Sequence, residues 1–262
     1  VSIGADIVPI TGENRTLCYH GMNRLNSNPR PAFKALLDLA KKSIPVNLTD
    51  VIFNIAPRIN AAGRIHSGRK AVELLISDDQ HAAKIVADQI NEYNTERREL
   101  DKSITAHALS IIEESEELQN RKTTVLYDPE WHKGVIGIVA SRLTETYYRP
   151  TIVFTKSGDK LAASARSVKG FDVYNAIEAC SEYLVQFGGH KYAAGLTILP
   201  EQYEDFKRKF EEVVAKTISK DLLTPEIGID AELDLCSITP KFYRILQQMA
   251  PFGPQNMKPV FL

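Results

Sequence analysis

A chain of 262 residues has room for two compact units at roughly 100–200 residues per domain. Its 44% hydrophobic and 25% charged content excludes a wholly disordered chain. A formal net charge of −1 excludes a globally basic domain, so any nucleic-acid site has to be a local patch.

No apolar run approaches the ~20 residues that cross a bilayer, and no basic-then-apolar leader opens the chain. Cys18, Cys180 and Cys236 are scattered without metal-ligand spacing and read as reduced thiols of a cytoplasmic protein. Residues 1–10 alternate small and apolar types up to Pro9, which predicts a strand end and a loop. The turn Asn28-Pro29-Arg30-Pro31 leads into an amphipathic helix from residue 32 to about residue 42, with Leu36, Leu37 and Ala40 on one face. A polar stretch at 45–50 precedes an apolar run at 51–56 that ends at Pro57, and helical periodicity resumes over 68–75. Asp78 and Asp79 are placed to cap a new helix, whose apolar positions run from Ala82 and Ile85 through Ile104 and Ile112 to about residue 117. A helix of about 40 residues is about 60 Å long, too long for one small core, so it reads as a connector between domains.

Past residue 122 the pattern predicts strands over 123–127, 151–155, 161–165 and 196–199, with helices over 135–146, 174–184 and 201–219. Alternation of this kind points to an α/β domain with a mixed sheet. Residues 226–235 read as extended and acidic, a short helix follows, and Pro259-Val260-Phe261-Leu262 looks like a strand cut short. With Val1 in place of an initiator methionine, these ends are expected of a piece of a longer protein.

The most specific segment is Gly188-Gly189-His190-Lys191-Tyr192-Ala193-Ala194-Gly195. Paired glycines let backbone N–H groups approach a phosphate, and the next histidine can donate to the same oxygen. Read blandly, the same residues are a helix-to-strand turn with a surface histidine. Ser164-Ala165-Arg166-Ser167 ends a predicted strand, and an arginine flanked by hydroxyls suits bidentate phosphate recognition. Arg58, Arg64, Arg69 and Lys70 lie in a stretch without an acid, which fits either a nucleic-acid backbone or a solvated basic face. Trp131 and Gly137 read as packing residues and His132 as undecided. Asp6, in Gly4-Ala5-Asp6, is one carboxylate where a hard-cation site needs several ligands. The sequence has no P-loop, no Gly-x-Gly-x-x-Gly, no zinc motif and no Asp-His-His triplet.

Residues 188–195 resemble the Gly-Gly-His-x-x-Ala-Ala-Gly signature of the DHH-associated domain, found in phosphoesterases named for an Asp-His-His motif. Asn60-Ala61-Ala62-Gly63-Arg64, residues 131–142 (WHKGVIGIVASR) and Ser164-Ala165-Arg166-Ser167 are similar to the RecJ branch of that superfamily. The resemblance runs along nearly the whole chain in consistent order. It implies an α/β fold: a mixed-sheet DHH-associated domain joined by a long connecting helix to the C-terminal part of a DHH-type α/β domain. The implied boundaries are 1–77 for the catalytic-domain part, 78–119 for the helix, 120–222 for the DHH-associated domain and 223–262 for the start of an oligonucleotide-binding (OB) domain. Asn256 and Pro259 would lie at the entry of that last piece.

The resemblance further implies a 5′→3′ exonuclease acting on single-stranded DNA in repair and recombination, dependent on Mn2+ or Mg2+. Residue by residue, it implies Asp6 as a metal ligand and Arg64, Ser164, Arg166, Gly188, Gly189 and His190 as phosphate-binding residues. No catalytic set is complete within these 262 residues, so the chain alone is expected to be inactive. The implied partners are single-stranded DNA and a helicase or single-strand-binding protein, with no membrane. Two alternatives stay open. One is a phosphodiesterase of the same superfamily acting on short oligonucleotides or cyclic dinucleotides. The other is a non-catalytic RNA-binding module, since related domains occur in alanyl-tRNA synthetases.

Overall fold

The computed structural model describes residues 1–6 and 8–262, so Ile7, within the Asp6 motif, lies outside the described residues. Its contacts divide it into two compact units, Val1–Glu96 together with Ile227–Leu262, and Arg97–Glu226.

The first unit begins with α1 (Ser2–Ala5), α2 (Gly12–Ser27) and α3 (Pro31–Leu39). Pro31 opens α3, where its missing N–H is not needed. Asn47 and Asp50 form a reciprocal capping box for α4 (Leu48–Asp50), at 3.0 and 3.1 Å. That turn continues as a π-helical stretch, Val51–Ile55, into α5 (Ala56–Ile65), and α6 (Arg69–Ile76) follows. The apolar run at 51–56 is therefore helical, with the wider π turn leading into Pro57, which has no N–H to return. Residues 2–5 likewise form a helical turn and not a strand. Among the described residues this unit has no strand to pair with, so Ala5 and Asp6 donate back to Val1 and Ser2 at 3.0 and 2.9 Å. Leu36, Ile55, Leu74 and Ile90 are fully buried in this unit's core.

The long helix α7 (Gln80–Glu113) starts where Asp79 Oδ1 accepts from the Ala82 N–H at 2.7 Å. Its 34 residues span about 51 Å at 1.5 Å each. Ala83, Ala87 and Ile90, spaced i, i+4, i+7, are buried in the first unit. Past the unit boundary, Asp101 of the same helix is 2% exposed and accepts from Arg142 Nε and Nη2, both at 2.7 Å.

The second unit continues with α8 (Glu116–Asn120), β1 (Thr124–Tyr127), α9 (Ile136–Tyr147), β2 (Thr151–Ser157), β3 (Lys160–Arg166), α10 (Val173–Glu178), β4 (Leu184–His190), β5 (Ala193–Ile198) and α11 (Tyr203–Thr217). The five strands lie in the order β1-β2-β3-β5-β4; β1 and β2 are parallel and every other pair is antiparallel. One face buries Phe154, Ala165 and Ile198 against the α11 stripe Phe206, Phe210, Val214, which recurs every four residues. The opposite face is covered over β2 and β3 by α9, whose Val139, Ala140 and Leu143 are fully buried. Glu211 of α11 accepts from the backbone N–H of Lys122 and Thr123 at 3.0 Å each, tying that helix to the start of β1. Arg149 is 4% exposed and donates to Leu118 O, Gln119 O and Arg121 O at the C-terminus of α8. Burial pulls its pKa below that of an ordinary guanidinium. Burial also pushes the Cys180 thiol up to about 12, so this cysteine is an inert core group.

The predicted helix over 174–184 is shorter than its periodicity implies. It ends at Glu178, a 3-10 turn covers Ser181–Tyr183, and β4 begins at Leu184. The last stretch returns to the first unit with α12 (Pro240–Gln248). Arg15 of α2 donates to the carbonyls of Gln248, Met249 and Ala250 at 3.2–3.3 Å. Residues 226–235 are mostly irregular, and the terminal run meets them at the bridge Ala231–Phe261. No described helix is long and apolar enough to cross a membrane.

The Asp101–Arg142 pair gives an asymmetric expectation. Asp101 is buried, whereas the Arg142 side chain is 52% exposed and can reach water if released. Arg142→Met leaves a buried carboxylate with Arg97 at 3.7 Å and should destabilise the second unit by about 3–5 kcal/mol. Asp101→Asn keeps an acceptor and should cost about 1–2 kcal/mol. Urea unfolding of both variants checks the order.

Candidate nucleic-acid interface

Three neighbouring strands bring four of the residues expected from sequence onto one face, with Gly189 turned to the other. The register pairs Arg166 with Ala193 and Ala193 with His190, and one step along it pairs Ser164 with Gly195 and Gly195 with Gly188. Residues paired directly across antiparallel strands point to the same face. Arg166, Ser164, Gly188 and His190 therefore share one face, the one on which α9 lies. Two strand spacings separate Arg166 from His190, about 10 Å between Cα atoms.

The octet is not a loop. It is a tight hairpin, with Leu184–His190 and Ala193–Ile198 as its arms and Lys191-Tyr192 as its turn. Gly189 is demanded by that fold: its φ is +152°, and a Cβ there would lie 2.4 Å from the Ala193 carbonyl oxygen. Gly188 is not demanded in this way, because a Cβ would meet nothing within 4 Å. His190 is exposed, and its Nδ1 accepts from the Tyr192 N–H at 3.3 Å. In the neutral ring the proton then sits on Nε2, which makes that atom the donor.

Arg166 is fixed from several sides. Its Nε donates to Ser141 Oγ at 3.1 Å, and its Nη1 donates to Ser164 Oγ at 3.3 Å and to Ala165 O at 2.7 Å. Ser141 in turn donates to Gly137 O at 3.1 Å. Gly137 has to lack a side chain, since a Cβ would stand 2.9 Å from both Arg166 Nη2 and Ser164 Oγ. Gly137 is thus a packing residue, as its sequence context implies, and what it packs against is the site. Ser141 was not among the expected residues. The signal for it was present, because Gly137 and Ser141 are four apart and share a helix face. Trp131 is buried and donates from Nε1 to His107 Nδ1 at 3.2 Å, while His132 Nδ1 accepts from the Gly134 N–H at 3.1 Å.

Arg64 and Asp6 belong to the other unit. Arg64 is exposed in the last turn of α5. Elsewhere in the basic stretch Arg58 bonds to Asn91 at 2.9 Å, and Arg69 and Lys70 both pair with Glu73 at 3.2 and 3.1 Å. Glu73, the acid that pairs with Arg69 and Lys70, lies three residues past the stretch. Asp6 is exposed and lines a cavity of about 380 Å3 with Phe33, Ile59 and Asn60. Among the described residues no three histidine, cysteine, aspartate or glutamate side chains converge as a metal-binding group. The residues present do not by themselves fit a divalent-metal centre.

The sheet thus sets a helix-locked arginine beside a Gly-Gly-His hairpin. Residues 120–216 match the DHHA1 domain, and residues 229–262 match the RecJ OB domain. The single-stranded-DNA-specific exonuclease RecJ of Escherichia coli (strain K12) is 34% identical over 268 residues, 98% of this chain and 46% of that protein. The crystal structure of RecJ from Thermus thermophilus in complex with Mg2+ has a TM-score of 0.87 at 30% identity, covering 99% of this chain and 40% of that one. Its counterpart in complex with Mn2+ also has a TM-score of 0.87 at 30% identity, over 99% of this chain and 38% of that one. The chain belongs to the RecJ family and spans less than half the length of these relatives.

The two glycines differ in what the fold demands of them. Gly189→Ala should destabilise the second unit by about 1–3 kcal/mol through backbone strain. Gly188→Ala should stay within about 0.5 kcal/mol. Thermal unfolding followed by circular dichroism distinguishes them.

Proposed function

We propose that this chain is the strand-holding part of a metal-dependent exonuclease that removes nucleotides 5′→3′ from single-stranded DNA in repair and recombination. The observation that carries this reading is the Arg166 guanidinium, locked between sheet and helix on the face that also presents Ser164 and His190. The guanidinium holds a fixed positive charge where a phosphate can meet it, and the His190 Nε2–H is a donor toward the same backbone. Donors fixed before the ligand arrives lose little freedom on binding, which is how a scissile bond is held in line for attack. The relatives' activity on single-stranded DNA, and the Mg2+ and Mn2+ in their structures, support the reading.

Asp6 is proposed as one metal ligand of the longer protein, and Arg64 as a further phosphate contact. Because the described residues do not form a metal centre, no catalytic step is assigned to this chain. The divalent ion would supply the activated water and neutralise the leaving oxygen.

Two outcomes test the proposal. The 262-residue chain should bind single-stranded oligonucleotides without sequence preference and more weakly as salt rises, because it contacts backbone. Arg166→Ala removes a charge-assisted hydrogen bond worth roughly 1.5–3 kcal/mol, so affinity should fall about tenfold or more. His190→Ala should also weaken binding, with folding confirmed by circular dichroism. Unchanged affinity in both folded variants would remove the clamp.

The same chain should show no hydrolysis with Mn2+ or Mg2+. In the longer protein, Asp6→Asn should reduce hydrolysis strongly while strand binding stays near normal. Chelator-sensitive turnover by the 262-residue chain would contradict this division of labour.

A further inference from the structure

The α9 side of the sheet holds a cavity of about 450 Å3 next to the Arg166–His190 pair, and nothing in the clamp accounts for it. It is lined by Lys133, Gln186, Gly188, Gly195 and Thr197, among others. The strand register locates it. On the α9-facing side the rows across β3, β5 and β4 are Arg166–Ala193–His190, then Ser164–Gly195–Gly188, then Ala162–Thr197–Gln186. Same-face rows recur about every 6.8 Å along a strand. The cavity therefore begins on the row that carries Ser164 and extends away from Arg166, one step further along the sheet.

Its chemistry is that of a polar chain and not of an apolar ring. The Lys133 side chain is exposed, and its Nζ donates to Ser157 Oγ at 3.1 Å. That partner is a neutral hydroxyl, and no carboxylate pairs with the ammonium among the described residues, so its charge is not cancelled within the protein. On the floor, the Gln186 amide donates to Thr197 Oγ1 at 3.4 Å, which places an amide and a hydroxyl side by side. Between them and the clamp, Gly188 and Gly195 leave the backbone uncovered, and a Cβ at Gly188 would project into open space. A ligand leaving the clamp along this direction meets backbone, then polar side chains, with a single ammonium above.

We propose that this cavity is a second phosphate subsite for single-stranded DNA, farther along the sheet than the clamp, with Lys133 supplying its charge. The inference rests on the clamp reading above and extends it from one bound phosphate to a strand path. A subsite of this kind matters only to ligands long enough to reach it. A phosphate contact by lysine is also point-like and sequence-independent, so it adds to the salt dependence without adding base preference.

The test is competition by 5′-phosphorylated oligothymidylates of one to eight nucleotides against a labelled single strand. It uses the 262-residue chain, Lys133→Gln and Arg166→Ala, at several salt concentrations. Lys133 is exposed and loses only a hydroxyl contact, so folding is not at stake. The expected result is that Lys133→Gln leaves the mononucleotide unaffected and weakens the longer ligands about two- to fivefold, the yield of one exposed ion pair. The slope of log affinity against log salt should fall by about 0.7, one phosphate's share for a single strand. Arg166→Ala should weaken every length. If Arg166→Ala weakens binding and Lys133→Gln changes neither affinity nor slope, the subsite is overturned and the clamp stands. If Lys133→Gln weakens the mononucleotide as much as the longer ligands, Lys133 belongs to the clamp and the second subsite is overturned. If neither variant changes anything, both readings fail together.

Discussion

A guanidinium set between a sheet and a helix constrains everything around it. Arg166 projects from β3 toward α9, so its donors need acceptors there and its bulk needs a gap in the helix. Gly137 provides the gap, while Ser141 and Ser164 provide oxygen acceptors that carry no charge. That choice matters electrostatically. A carboxylate in place of either serine would satisfy the same N–H groups and also cancel the charge. Hydroxyl acceptors orient the cation and add no charge of their own. Asp101 and Arg142 show the opposite arrangement in the same unit, where a bidentate carboxylate holds its arginine and the Arg142 guanidinium pKa is raised by that hydrogen bond. One arginine is committed to fixing α7 to α9, and the other is aimed by neutral oxygens.

The hairpin completes the face by register alone. The two-residue turn Lys191-Tyr192 sets His190 and Gly188 on β4 opposite Ala193 and Gly195 on β5, and a slip of one residue would turn both away. The turn between the arms is short, so the chain has to pass close over itself. Gly189 absorbs that approach in a backbone geometry that side chains rarely adopt. The two adjacent glycines therefore do different things: one permits the fold and the other leaves the surface bare.

Much of this was legible in the sequence, for reasons that can be named. β1, α9, β2, β3 and α11 lie within a few residues of their expected bounds because each has a strong local period, such as Phe206, Phe210 and Val214 every fourth residue. α7 was legible from its cap at Asp79 and its sustained apolar stripe, although it ends at Glu113, a little short of the expected 117. β4 was not legible. Its pairing is interrupted by an irregularity between Leu184 and Gln186, and its end is Gly-Gly, so neither alternation nor β-branched composition marks it. The N-terminal turn was missed for another reason: small and apolar alternation predicts a strand only where a neighbouring strand exists. At the site, the Gly-Gly-His and Ser-Ala-Arg segments could be picked out singly. That they face the same way depends on β5 lying between them, which is long-range information that no local pattern holds.

The separation of cores bears on what the chain can do. The sheet unit has its own hydrophobic cluster, built on Phe154, Phe206 and Phe210, and the helical unit has another, around Leu36, Ile55 and Leu74. The proposed phosphate donors Arg166, Ser164 and His190 are all held by the first of these, whereas Asp6 belongs to the second. Donor geometry in the sheet unit then depends on hydrogen bonds within that unit, such as Arg166 to Ser141. On the proposed reading, holding a strand and cutting it would draw on different residues with different supports. With a formal net charge of −1, the chain has no diffuse positive field to gather nucleic acid. Whatever affinity it has must come from a few cations placed by hydrogen bonds, and those are individually removable.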